Sequence, residues 1–414
     1  MINITVKHDK SKIESILKSM CFKIMHSDIP EIPCEEYGFK SELNVYRNKI
    51  DKINPEYWKK TRWYINDFDF LVKDPIINRA FYKYWEIVNT FDIFNNYNNS
   101  DLIFHCAEAP GGFIQGTNVF LQLDNYRPID TIKPKIEIDD DGFRQVKKKT
   151  YVKKIYKIYT ISLNKDLQEY KHYNLPSYNK RVINKNVCTT YGKDNSGDIN
   201  VLDNIHYIKK LINNNGFFLI TADGGFDEGT DFNNKEQLHY FLILNEIYSA
   251  IYLQKQSGNF ILKMFDVFTK TSVNLLYLLS LLYENVFIYK PKTSRPTNSE
   301  KYIICKNFRC NDIILKYVIE SLQNLSQTLR YKNHKYNSFV LFDNIDPEFI
   351  NNICMMNTEF VNNQCSFLKI AIDLCNDADF IKNYDNELNN SLEKRKRIFK
   401  QWELKYRLND FIPF

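Results

Sequence analysis

The segment Ala107-Glu108-Ala109-Pro110-Gly111-Gly112-Phe113 constrains this chain more than any other. It follows the apolar run Leu102-Ile103-Phe104 and precedes a helix-compatible stretch, so it reads as strand, tight loop and helix. Paired glycines let backbone approach a ligand closely, and the helix start offers free N–H groups. The pattern is not the GxGxxG of dinucleotide folds. Taken alone it is only a loop.

The same alternation recurs downstream. A helix over 78–94 precedes strand 101–107, and 156–163 reads as the next strand. Helix 198–214 leads to strand 217–223, helix 235–256 to strand 259–263, and helix 271–284 to strand 286–289. A last strand covers 302–305. Strands alternating with helices predict an α/β sheet covered on both faces. The link 290–299 is too short for a helical crossover, so the last strand should run antiparallel to its neighbour. Residues 1–70 read as mostly helical, and the tail from about 345 as helical and charged.

That topology gathers three charged residues at one sheet edge. Asp223 and Lys263 end their strands and Glu300 begins the antiparallel one, all on the side where the Pro-Gly-Gly loop lies. Singly, a strand-end lysine points to water and an aspartate caps the next turn. Three at one edge beside a glycine loop argue for a site.

Composition narrows the rest. The 414 residues suit one large or two ordinary domains, and the net charge of +6 permits a polyanionic partner without demanding one. Nine cysteines with no C-x-x-C pair argue against a zinc site or a disulfide framework and for a cytosolic compartment. Met1 to Lys12 is too polar for a signal peptide, and no apolar run is long enough to span a membrane. Three clusters mix basic residues with aromatics or turns: 58–64 (Trp58, Arg62, Trp63), a basic hairpin insertion at about 130–157 turning at Asp139 to Gly142, and Lys394 to Arg397. Each reads as packing or a solvated face, or as an RNA contact.

Several segments together resemble the FtsJ-type (RrmJ-like) RNA ribose 2'-O-methyltransferases. Besides residues 107–114 they are Gly192-Lys193-Asp194-Asn195-Ser196-Gly197-Asp198-Ile199, Thr221-Ala222-Asp223-Gly224-Gly225-Phe226-Asp227 and Phe260-Ile261-Leu262-Lys263-Met264-Phe265. Lys290-Pro291-Lys292-Thr293-Ser294-Arg295 and Asn298-Ser299-Glu300-Lys301-Tyr302 complete the series. The branch they look most like is the Adrift type, the eukaryotic mRNA cap methyltransferases with related large-DNA-virus proteins. The resemblance implies a Rossmann-like S-adenosylmethionine-dependent methyltransferase sheet, mostly parallel, over 75–310. A helical extension at 1–74 and a helical region at 311–414 would flank it.

The family's Lys-Asp-Lys-Glu tetrad carries over to Lys83, Asp223, Lys263 and Glu300, with Lys73 as the alternative first lysine. Gly111, Gly112 and Phe113 match its methionine-side loop, and Asp198 its acidic position near the adenine. Where many methyltransferases place a ribose-binding acid, this chain has Asn164. The implied reaction methylates the 2'-hydroxyl of the first or second transcribed nucleotide of capped mRNA and needs no metal. Methylation of structured ribosomal or transfer RNA is the alternative, and an inactive RNA-binding or scaffold protein the third reading. Other capping enzymes are further implied partners, with a cytoplasmic location. Lys263 is expected to be the general base, its charge disfavoured by burial and by Lys83 and favoured by Asp223.

Overall fold

The computed structural model describes residues 1–25, 28–69, 75–98, 100–124, 137–138, 144–145, 156–171, 173–225, 232–332 and 334–408. The strands are β1 Ile2–Asn3, β2 Lys23–Ile24, β3 Leu102–Cys106, β4 Glu137–Ile138, β5 Arg144–Gln145, β6 Lys157–Ile161 and β7 Val187–Thr190. They continue with β8 Phe217–Ala222, β9 Gln254–Met264, β10 Tyr283–Tyr289, β11 Lys301–Phe308 and β12 Phe339–Val340. The α-helices are α1 Lys10–Lys18, α2 Ser41–Ile50, α3 Pro55–Ile65, α4 Ala80–Thr90, α5 Gly112–Asp124, α6 Leu202–Leu211 and α7 Lys235–Leu238. After them come α8 Tyr240–Leu253, α9 Lys270–Leu282, α10 Asp312–Lys332, α11 Pro347–Asn376, α12 Ala378–Lys382 and α13 Tyr384–Lys405.

One eight-stranded sheet runs in the order β1-β10-β11-β9-β8-β3-β6-β7. Its central strands, β3 and β8 among them, are buried on both faces, which is why they read as nearly continuous apolar runs. Neighbouring residues point to opposite cores. Phe104, Leu262 and Ile303 pack on one side against helices that include α8, α9 and α10. Ile103, Ile261 and Tyr302 pack on the other against α4 and α5. Pairing is parallel from β7 through β9, and β11 inserts antiparallel between β9 and β10. The short 290–299 link has the predicted consequence. Tyr302 stands opposite Lys263, so the start of β11 meets the end of β9.

Three features depart from the sequence reading. The N-terminal region is not helical throughout, because β1 adds to the sheet edge and Ile4 donates its N–H to Val286 at 2.9 Å. β7 extends the opposite edge, a short, half-exposed strand that leaves little periodic signal. β9 begins at Gln254 rather than 259, across an irregular register with β8. In the insertion, β4 and β5 form the predicted hairpin pairing, while its turn and basic arm lie outside the described residues.

The C-terminal helices are continuous with this body. α3 and α11 open on Asn54-Pro55 and Asp346-Pro347, whose side-chain oxygens accept the N–H groups of Glu56 and Glu348 at 2.8 Å. Within the run Lys394 to Arg397, Arg395 is buried and donates to the carbonyls of Trp63 and Tyr64, whereas the other three residues are exposed. The run therefore splits: one residue packs inward and three form a solvated face.

Candidate active site

A cleft of about 1500 Å³ lies outside the carboxyl ends of the parallel strands. Ala107, Gly197, Asp198, Gly224, Gly225, Lys263 and Glu300 all contribute to its wall. The four tetrad candidates meet there. Lys83 Nζ on α4 lies 2.6 Å from Glu300 Oε1. Lys263 Nζ at the end of β9 donates to the Asp223 carbonyl at 2.7 Å and sits 3.4 Å from its carboxylate. Lys73 lies outside the described residues.

The charges settle one another. Burial alone would raise the Glu300 carboxyl, but the ammonium groups of Lys83 and Lys263 hold it far below the usual carboxylate range. For Lys263, burial favours the neutral amine, yet Asp223, Glu300 and Glu246 outweigh it and raise the group above an ordinary lysine. The expected base is thus an ammonium at rest. The carboxylates around it decide the balance that sequence left open.

Further residues, to which the sequence reading gave no role, complete the arrangement. Tyr302 donates to Asp223 Oδ1 at 3.0 Å, and Ser294 to Glu300 Oε1 at 2.8 Å. Lys290 donates to the carbonyls of Asn298 and Glu300 at 2.7 and 2.9 Å, and burial lowers its ammonium to about 7. Beneath the site, Glu246 Oε1 accepts the Gly224 N–H at 3.1 Å while Oε2 is buried without a partner among the described residues, and burial raises this carboxyl to about 8. Lys290, Ser294 and Tyr302 lie in segments that carry the family resemblance, whereas Glu246 lies in none of them and meets Gly224 from 22 residues away.

The second half of the cleft is backbone-lined. Gly197, at φ 72°, passes so close to the end of β6 that a Cβ would stand 1.9 Å from the Ser162 carbonyl oxygen. Ser162 Oγ in turn accepts the N–H groups of Glu108 and Ala109 at 2.9 and 3.1 Å, pinning the Ala107–Pro110 loop. Asp198 lines this end. Burial raises its carboxyl, and its Oδ1 accepts the Asn200 N–H at 2.9 Å.

The glycine loop and Asn164 are held by contacts within the fold. Gly111, Gly112 and Phe113 are buried. A Cβ on Gly112 would stand 2.2 Å from Asn78 Oδ1, and Phe113 is buried against Tyr84 with ring centres 4.8 Å apart. Gly112 and Phe113 hold α5 against α4, a Cβ on Gly111 would stand 2.8 Å from Val182, and Ala107 of this loop reaches the cleft wall. Asn164 is buried and committed: its amide donates to the Asn195 carbonyl at 3.0 Å and its oxygen accepts the Asp166 N–H at 3.2 Å. It fastens the 192–199 loop.

At the outer rim, Trp58 and Arg62 on α3 face the cleft one turn apart, with Arg295, whose guanidinium donates to both Asp69 carboxylate oxygens at 3.3 Å. Burial and the proximity of Arg295 lower the Arg62 guanidinium. Arg62 has no carboxylate partner among the described residues. The cleft thus joins a carboxylate–ammonium cluster, a glycine-lined hollow and an aromatic, cationic rim.

Comparison with known proteins identifies the family. The chain is 29% identical over 334 residues to cap-specific mRNA (nucleoside-2'-O-)-methyltransferase 1 of Dictyostelium discoideum, covering 76% of this chain and 40% of that protein. It is 26% identical over 308 residues to methyltransferase 2 of the same naming from Danio rerio, covering 70% and 37%. It is 31% identical over 191 residues to an inactive methyltransferase 1B of Caenorhabditis briggsae, covering 44% and 22%. This chain spans two fifths or less of the length of these relatives. The FtsJ-like methyltransferase model matches residues 76–308, more than half the chain and the whole span that carries β3, α4 and the four charged residues. The chain therefore belongs to the FtsJ-like methyltransferase family.

Proposed function

We propose that this protein methylates a ribose 2'-hydroxyl at the 5' end of capped mRNA, on the first or second transcribed nucleotide, using S-adenosylmethionine. The observation that carries the reading is that Lys263 and Glu300 line the cleft, each paired with another tetrad candidate, Asp223 and Lys83. The names of the similar proteins support the cap as the substrate class.

The residues present fit the cofactor. The hollow walled by Ala107, Leu163, Gly197, Asp198 and Ile199 offers close backbone and one half-buried acid. When bound, S-adenosylmethionine supplies a methyl group that is already electrophilic. The loop Gly111–Phe113 shapes the hollow from behind, through the α4–α5 contact.

The chain's own task is to position and deprotonate the hydroxyl. Lys263, fixed by Asp223, holds the oxygen beside the hollow, and Glu300 fixes Lys83 across from it. Because Lys263 rests as an ammonium, only its neutral minority accepts the hydroxyl proton. Trp58 stacks a base or the cap, and Arg62 and Arg295 take phosphates, which suits a single-stranded end. Capped mRNA is the partner this rim fits, and other capping enzymes acting in the cytoplasm would deliver it.

The test is methyl transfer from labelled cofactor to short RNAs ending in an unmethylated-ribose cap, a cap with the first ribose methylated, or a bare triphosphate. Cap-dependent labelling is expected, and the labelled position identifies the nucleotide. Labelling of structured RNA regardless of the cap would move the substrate to that class. Cofactor binding without transfer to any RNA would mark the chain as inactive.

A further inference from the structure

Glu86 lies on α4, three residues beyond Lys83, and is fully buried. Its carboxylate accepts from the Tyr289 hydroxyl, the Lys292 N–H at 2.9 Å, the Thr293 N–H at 3.3 Å, the Thr293 hydroxyl at 3.2 Å and the Trp402 indole N–H at 3.0 Å. All of these donors are neutral, and no cation pairs with the group among the described residues. A buried carboxylate held this way is costly to remove, because every donor would lose its acceptor at once.

The donors belong to the parts that set the tetrad. Lys292 and Thr293 start the loop that ends at Glu300. Arg79, at the head of α4, grips the same turn from the other side by donating to the Thr293 carbonyl at 2.7 Å. The next residue, Ser294, bonds Glu300, and Glu300 bonds Lys83. A closed ring therefore runs along α4 from Lys83 to Glu86, across to Thr293 and Ser294, and back through Glu300. Trp402 enters this ring from α13, far outside the matched family span. The helix is seated by a second bond, from the Trp85 indole to the Tyr406 carbonyl at 3.0 Å.

We infer that Glu86 is a positioning residue for the Lys83–Glu300 pair, and that α13 is part of the catalytic unit because Trp402 locks that carboxylate. The inference rests on the proposed methyl transfer for its kinetic consequence, but not for its geometry. Without the lock the 290–299 loop is free to drift, and Lys83 loses its fixed partner.

Two variants of the full chain test it. Trp402→Phe keeps an aromatic ring in the packing and removes one donor; Glu86→Gln keeps the shape and turns an acceptor into a donor facing donors. In methyl transfer, kcat should fall about tenfold, as expected for losing a hydrogen bond to a charged group. KM for S-adenosylmethionine should hold, since the cofactor hollow lies elsewhere. Independently of activity, modification of Lys83 by a small amine-reactive anhydride, read by mass spectrometry, should rise several-fold relative to surface lysines. Wild-type kcat and wild-type Lys83 labelling in folded Trp402→Phe would overturn the inference, whatever happened to melting temperature. If wild type transfers no methyl group to any RNA, the proposed reaction fails, and Lys83 labelling still decides this point. If Glu86→Gln does not fold, Trp402→Phe carries the test alone.

Discussion

At the scale of single residues, the site is governed by which charges are neutralised. Lys263→Ala should lower methyl transfer by roughly 10²–10⁴-fold, the range for losing a general base, in the labelled-cofactor assay. Because Lys263 is held above the ordinary lysine value, the neutral amine is scarce at pH 7. Turnover should therefore climb about tenfold per pH unit from 7 to 9. A flat profile would make Lys263 an orienting cation and not a base. The Glu300 carboxyl is depressed, so its stabilisation is present above the unfolded carboxylate value and lost as pH falls toward the folded one. Glu300→Gln, which strands the Lys83 ammonium, should cost about 3–5 kcal/mol at pH 7 in denaturant melts, with the gap narrowing below about pH 4. Glu246 has the opposite sign. Its raised carboxyl keeps a proton that the unfolded chain has lost, so it erodes stability as pH rises from the ordinary value to about 8. Glu246→Gln should therefore be near neutral at pH 5 and stabilising by ~1–3 kcal/mol at pH 8.

At the scale of elements, two loops meet helices and strands more closely than any side chain permits. Gly112→Ala would drive a Cβ into Asn78 at the head of α4, the helix that carries Lys83. It should lower kcat and melting temperature together, with a cost of about 1–3 kcal/mol in denaturant melts. Gly197→Ala acts on the other half of the cleft, where both its φ of 72° and the Ser162 carbonyl forbid a Cβ. Its expected signature is weaker cofactor binding by calorimetry. In the proposed reading, α3 is the element that would face RNA. Its Trp58 and Arg62 share a helix face because they stand four residues apart, while Trp63 turns outward and is 40% exposed. The sequence cluster 58–64 thus divides into one face toward the cleft and one toward solvent.

At the scale of the whole molecule, regions beyond the family span complete the sheet and the site. β1 covers the outer side of β10, and Ile4 is fully buried in the main core. Ile4→Asp places a carboxylate there without a partner and should cost about 3–5 kcal/mol, read as a lower denaturant midpoint. An uncovered β10 would leave a free sheet edge, so aggregation should rise alongside. At the far end of the chain, Trp402 packs on Phe68 and Tyr82 as well as bonding Glu86, which ties the two flanking regions to α4.

Much of this protein was legible from its sequence. The parallel core strands are apolar on both faces, so Leu102–Cys106 and Phe217–Ala222 announced themselves within a residue or so of their bounds. The 290–299 link was too short for a crossover and so fixed the antiparallel strand, which brought Glu300 beside Lys263. What only the tertiary structure decided are the properties that depend on neighbours distant in sequence. The protonation of Lys263 is a balance among Asp223, Glu300, Glu246 and burial. The commitment of Asn164 to the 192–199 loop, and of Gly112 to the α4 contact, follows from backbone approach that no spacing rule encodes. Glu86 reads as one more polar residue on a helix until Tyr289, Thr293 and Trp402 converge on it. Local pattern settles which residues enter strands and helices, because periodicity is local. The surroundings of a buried charge are set by the whole fold.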